Sequence, residues 1–150
     1  MRSIQIPELK FSNWYAWANR LKYPLKEYPG VYLVAITPKA NLSGQRPKFV
    51  DVVYIGMTRR RTGLRGRWAD FDRAIKTGHG HSGGNTIYKY KGPYSTWSDH
   101  LYVAAMGVEC DVRSPGEEDY LRMGWVAYLE YEAFAFYCRD IGGHPRYNKL

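Results

Sequence analysis

Apolar positions along the chain fall into three short runs and several periodic stretches. Pro29-Gly30-Val31-Tyr32-Leu33-Val34-Ala35-Ile36 and Phe49-Val50-Asp51-Val52-Val53-Tyr54-Ile55-Gly56 are rich in β-branched and aromatic residues. Turn formers bound both runs, so each predicts a strand. The polar segment 37–47 between them contains Asn41, Ser43, Gly44 and Pro47 and predicts a long hairpin loop. A hairpin centred on Ser43 pairs position 32 with 54, 34 with 52 and 36 with 50. Alternation then stands Tyr32 and Tyr54 side by side on one face, as a cross-strand aromatic pair or as a reactive one. Residues 100–108 predict a third, central strand.

The periodic stretches predict helices. Ser12-Asn13 can cap a short helix over 14–21, with Trp14, Trp17, Ala18 and Leu21 at helical spacing and the sheet as its support. From about residue 64 to 76, Leu64, Trp68, Phe71 and Ile75 form an apolar stripe. At about 100° per residue, Arg67 sits roughly 60° from the stripe's centre and can reach the sheet, Arg65 lies farther round, and Arg73 points away. Residues 78–84 read as a glycine-rich loop carrying His79 and His81, with a short helix over 85–91. A histidine–metal site in that loop is a minor alternative. Ser114-Pro115-Gly116-Glu117-Glu118 opens a last helix that runs to about Arg139 and stops at Gly142-Gly143. That helix is apolar nearly all round and is expected to be largely buried. Glu130 falls within about 60° of Met123, Val126, Ala127, Ala133, Phe134 and Tyr137, whereas Glu132 lies roughly 200° away. A carboxylate in a core-facing stripe needs a partner or a cation. A metal ion and an ion pair with Arg67 both satisfy that need.

At 150 residues the chain is one domain, and 45% hydrophobic with 16% aromatic residues excludes a disordered polypeptide. A net charge of +8 favours an anionic partner, nucleic acid before a membrane surface. No apolar run reaches the roughly 20 residues that cross a bilayer. The first residues lack a signal-peptide core, and Cys110 and Cys138 show no metal or redox spacing. Both cysteines are expected to be reduced and structural, in a cytoplasmic protein.

Gly30-Val31-Tyr32, then Tyr54-Ile55-Gly56, an arginine on the following helix, a helix-borne glutamate and the closing Pro145-Arg146-Tyr147-Asn148 together resemble the GIY-YIG nucleases. The likeness covers residues 29–150. It implies an α+β fold with a small, about three-stranded antiparallel sheet flanked by helices, preceded by an N-terminal helical extension over 1–28. It also implies a Mg²⁺- (or Mn²⁺-) dependent endonuclease that hydrolyses DNA phosphodiesters. By motif, Tyr32, Tyr54, Arg67, Glu130 and Asn148 match the family's catalytic residues, with Glu130 the single metal ligand. His81 resembles a histidine of some homing members. A lone carboxylate suffices for Mg²⁺, which keeps most of its waters. Arg67 would hold the phosphate, Tyr32 would take the proton from water with Tyr54 orienting it, and His81 would accept that proton. The basic residues Arg59, Arg60, Arg61, Arg65, Arg73 and Lys76 are the expected phosphate contacts.

The pattern departs from the family in four places. Tyr54 lies 22 positions after Tyr32, a longer link than many members keep. Met57 stands where a lysine often follows the second motif, and Phe71 where homing members often place a second histidine. A longer stretch from Glu130 to Asn148 keeps Glu132 open as the metal ligand. Sequence specificity would have to come from loops such as 37–47 and 78–99. Cutting both strands would need a homodimer, a higher oligomer or sequential nicking. The competing reading is a non-catalytic nucleic-acid-binding module on the same fold, and a small-ligand or protein-interaction domain is a third.

Overall fold

The computed structural model describes residues 5–149 and shows an α+β fold built on a four-stranded antiparallel sheet. In chain order the elements are β1 (Tyr15–Ala16), β2 (Gly30–Ile36), β3 (Val52–Thr58), α1 (Gly63–Thr77), α2 (Ser82–Lys91), β4 (Leu101–Gly107) and α3 (Glu117–Asp140). The strand order is β1-β4-β2-β3. β2 is central and buried on both faces, which is why its sequence is continuously apolar rather than alternating.

The sheet separates two cores. Tyr32 and Val34 of β2, with Tyr54, Leu101, Val103 and Ala105, face α1 and α2, where Leu64, Trp68, Phe71 and Ile75 form the expected stripe. Val31, Leu33 and Ala35, with Ile55, Tyr102 and Ala104, face α3 and its Val126, Leu129, Ala133 and Tyr137.

Several expectations are corrected. Tyr32 pairs with Gly56 and Val34 with Tyr54, two residues off the expected register. The register then shifts so that Ala35 faces Val52, leaving Val53 as an extra residue, a β-bulge. A short 3-10 turn, Phe49–Asp51, replaces the start of the expected strand, so Val50 is exposed and Ile36 pairs only with Leu101. Because side chains alternate with period two, the two-residue offset leaves both tyrosines on one face.

The expected helix over 14–21 is instead the short strand β1 followed by a 3-10 helix, Trp17–Lys22. Trp14 joins the α3-side core and Trp17 the α1-side core. One helix face would have held both rings on the same side, whereas extended backbone at Tyr15–Ala16 sends them to opposite sides of the β4 edge. α2 begins three residues earlier than expected, because the helix absorbs Gly83 and Gly84. α3 is buried along one side only, and Tyr120, Tyr128 and Tyr131 are exposed where burial was expected. No further layer of the described chain covers them. Cys110 is buried as expected of a structural thiol, but Cys138 is exposed, and both are free.

The tail closes the outer edge of β3. Tyr147 N–H donates to the Val53 carbonyl, and the Asn148 amide makes two bonds to Ile55, accepting from its N–H at 2.9 Å and donating to its carbonyl at 2.8 Å. Asn148→Ala is therefore expected to destabilise the fold by about 1–2 kcal/mol. Urea unfolding would show a lower midpoint at an unchanged slope, and an unchanged midpoint would mean the strap adds nothing.

Candidate functional site

The site is organised around Tyr32. Its ring lies across its cross-strand partner, and a Cβ on Gly56 would stand 2.5 Å from Tyr32 Cζ and 2.6 Å from its Oη. Only glycine leaves room there. Tyr54, the diagonal neighbour, sits with its ring centroid 6.2 Å away. Its phenol end rests on Gly83 of α2, where an added Cβ would collide with the ring. Trp68 and Phe71 meet Tyr32 edge-on, with centroids 6.1 and 6.5 Å away. The two glycines and Trp68 shape the pocket but had not been assigned a site role. The glycine within Tyr54-Ile55-Gly56, facing an aromatic across the hairpin, was the available signal for one of them.

Burial decides the phenols' protonation. Tyr32 is 0% and Tyr54 7% exposed. Desolvation raises Tyr32 well above the ordinary tyrosine value, reinforced by Tyr54 and opposed by the Arg67 charge. Tyr54 is pushed up to about 12, again chiefly by burial, with Arg67 opposing and Glu130 reinforcing. Arg67 does act to lower Tyr32, but burial outweighs it.

His81 is 3% exposed and caps α2, its Nδ1 accepting from Gly84 N–H at 3.1 Å. A nitrogen that accepts carries no proton, so the neutral ring is protonated on Nε2. That nitrogen lies 3.1 Å from Tyr32 Oη and donates to it. The expected part of His81 as acceptor of the Tyr32 proton is thus reversed. Desolvation, with Arg67 and Arg60 adding to it, lowers the imidazole to about 4.

Arg67 leaves α1 beside the apolar stripe, as its helical angle predicts. It lines a shallow cleft of about 310 Å³ with Met57, Thr58, Arg59 and Arg60. Its Nε is buried and finds no hydrogen-bond partner among the described residues. Glu130 comes from the opposite face of the sheet, on the same side of α3 as buried Val126, Ala133 and Tyr137, and is half-buried. Desolvation raises its carboxyl, opposed by Arg67 and then Arg59. Glu130 is thus an α3 acid whose charge bears on both tyrosines. Among the described residues Glu130 forms no hydrogen bond and closes no ion pair with Arg67.

Asn148 holds Ile55, the residue between Tyr54 and Gly56, as described above. Four of the six expected phosphate contacts are already held by acids. Arg60 pairs with Asp70, Arg73 with Asp70 at 3.0 Å, Lys76 with Asp72 at 2.8 Å and Arg65 with Glu27 at 3.0 Å. Arg59 and Arg61 are exposed, and no such pair ties them among the described residues. His79 is exposed, and no group of three or more His, Cys, Asp or Glu side chains that could hold a metal gathers among the described residues. A half-buried carboxylate with free oxygens suits a hard cation that keeps its water shell, so Glu130 fits a Mg²⁺ ligand of that kind.

No family model, curated protein or solved structure matches this chain.

The neutral, Nε2-protonated state of His81 has a pH signature. A folded-state value near 4 against about 6.5 unfolded means the unfolded chain takes the proton first as pH falls. The stabilisation is complete above about pH 6.5 and drains away between 6.5 and 4, on the order of 3 kcal/mol. Ring NMR should show His81 neutral at pH 5.5 with the proton on Nε2. A titration midpoint near 6.5 would contradict the assignment.

Proposed function

We propose that this protein is a divalent-metal-dependent endonuclease of the GIY-YIG type, hydrolysing DNA phosphodiesters. The observation that carries the reading is the buried pair of Tyr32 and Tyr54, ring centroids 6.2 Å apart, with His81 Nε2 3.1 Å from the Tyr32 hydroxyl and the charges of Arg67 and Glu130 bearing on both phenols. The ordered motifs from Gly30 to Asn148 support it independently.

In this reading Arg67 binds the scissile phosphate. Its guanidinium is always charged, its donors are forked, and its Nε lacks a hydrogen-bond partner among the described residues. Exposed Arg59 and Arg61 add contacts to flanking phosphates, and Arg60, Arg65, Arg73 and Lys76, whose carboxylate partners range from half-buried Asp70 and Asp72 to exposed Glu27, contribute where phosphate replaces those partners. Glu130 would hold a Mg²⁺, which when bound supplies positive charge for the phosphate and the leaving oxygen. The tyrosine pair handles the proton of the attacking water. His81 favours the ionised form of Tyr32 by donating Nε2–H to its oxygen, and Arg67 favours it by charge. Enclosure works against both, so Tyr32 would need the added positive charge of a bound cation to serve as a base.

The burial of Tyr32 gives weight to the second reading, a module that binds nucleic acid without cutting it. Incubating supercoiled plasmid with Mg²⁺, with Mn²⁺ and with a chelator separates the two. Cleavage that requires the ion, and that falls at least about 100-fold in Arg67→Ala and Glu130→Ala, is the expected result. Tyr32→Phe should lose a comparable amount while DNA binding persists. Salt-sensitive binding without cleavage under either ion would leave only the binding module, and full activity in Glu130→Ala would remove the single-carboxylate arrangement. Activity should also fall as pH drops through the raised Glu130 value, because protonation cancels the negative charge that would hold the ion.

A further inference from the structure

The outer face of α3 is not the polar surface that a helix normally turns to water. Leu121, Gly124, Tyr128, Tyr131, Ala135 and Cys138 are all exposed and recur at alternating spacings of three and four. They form one apolar seam along a helix about 36 Å long. Tyr128 is 50% and Tyr131 73% exposed. Gly124 is the telling position, because a Cβ added there would meet nothing within 4 Å. Glycine inside a helix costs about 1 kcal/mol relative to alanine, and no contact within this chain requires it. The close approach of another helix does.

We propose that α3 pairs antiparallel with α3 of a second copy of this chain, about a two-fold axis that passes between Leu129 and Glu130. The seam is its own complement in that arrangement. Tyr128 meets the partner's Tyr131, Gly124 meets the partner's Ala135, and Leu121 meets the partner's Cys138. The small pair lets the backbones close, and the tyrosine rings fill the centre. On one flank Ala127 faces the partner's Phe134, and Tyr120 faces the partner's Ile141, whose counterpart is exposed here. On the other flank Glu118 faces the partner's Arg139, an opposite-charge pair that symmetry makes twice. The ion pairs they make here, Glu118 with Arg122 and Arg139 with Asp140, lie at the surface, where such pairs are weak. A parallel pairing would bring no opposite charges together on the flanks and would stack glycine on glycine. The dimer stands whether or not the nuclease reading holds. It would, however, fix two copies of Glu130 in a two-fold relation, because Glu130 rides on the paired helix.

Sedimentation equilibrium of the full chain over micromolar concentrations should show a dimer. Tyr131→Glu should weaken it at least about tenfold while circular dichroism stays unchanged, and at dilutions where both chains are monomeric the urea midpoint should also be unchanged, because the side chain is exposed in the monomer. Mild oxidation of Leu121→Cys should give a covalent dimer through Cys138, reversed by reductant and absent in Leu121→Cys with Cys138→Ser. A chain that remains monomeric, whether or not this seam binds anionic vesicles or DNA, would overturn the proposal. So would a dimer untouched by Tyr131→Glu, a Leu121→Cys chain that fails to cross-link, or a wild-type chain that cross-links through Cys138 alone.

Discussion

A single close approach, the Tyr32 ring laid flat against the backbone of Gly56, sets the geometry of this molecule. A side chain at Gly56 would push the phenol out of its slot and away from the His81 donor. With the phenol in place, Trp68 and Phe71 seat against its edges, α1 takes its angle across the sheet, and Arg67 is delivered to the end of β3. Gly83 repeats the device one layer out, giving Tyr54 a place against α2. Two absent methyl groups thus fix where two phenols and a guanidinium meet.

The candidate site draws on both faces of the sheet. Phenols, imidazole and guanidinium come from the α1 and α2 side, and the carboxylate comes from α3 on the other. Arg67 meets the Met57–Thr58 end of β3 at an open cleft. Desolvation is the largest cause of the shift at the phenols, the imidazole and Glu130 alike, and Glu130 is the least enclosed of them. Interior groups orient and tune, and the groups near the rim are the ones that a phosphate or a hydrated cation can reach.

Much of this was legible in the sequence, for identifiable reasons. Helix α1 and its stripe are visible because 3.6-residue periodicity is strong over 15 residues, and the same periodicity places Arg67 beside the stripe and Glu130 on the core side of α3. Both tyrosines fall on one face despite a wrong register, since parity survives a shift of two. The register itself was hidden by the Val53 bulge and the Phe49–Asp51 turn, neither of which has a compositional mark. Trp14 and Trp17 misled because a spacing of three fits a helix as well as an edge segment that feeds two cores. His81 was recognisable as a candidate, but its tautomer depends on Gly84 N–H, a bond that exists only once α2 absorbs its glycines. Asn148 was legible as a motif position, but the edge of β3 that it holds is visible only in the fold.

Asn148 has a wider consequence. Strands as rich in valine, isoleucine and tyrosine as these invite growth by addition of further strands at whichever border is left open. Here the β3 border is occupied by an amide side chain that imitates a neighbouring peptide, donor to acceptor and acceptor to donor, and the β4 border is met by Ser12 and the short β1. The sheet therefore offers little unsatisfied backbone along either margin, and fibrous stacking of copies is disfavoured from the start. Contact between molecules is left to the helical surfaces, where geometry can limit it to a closed pair.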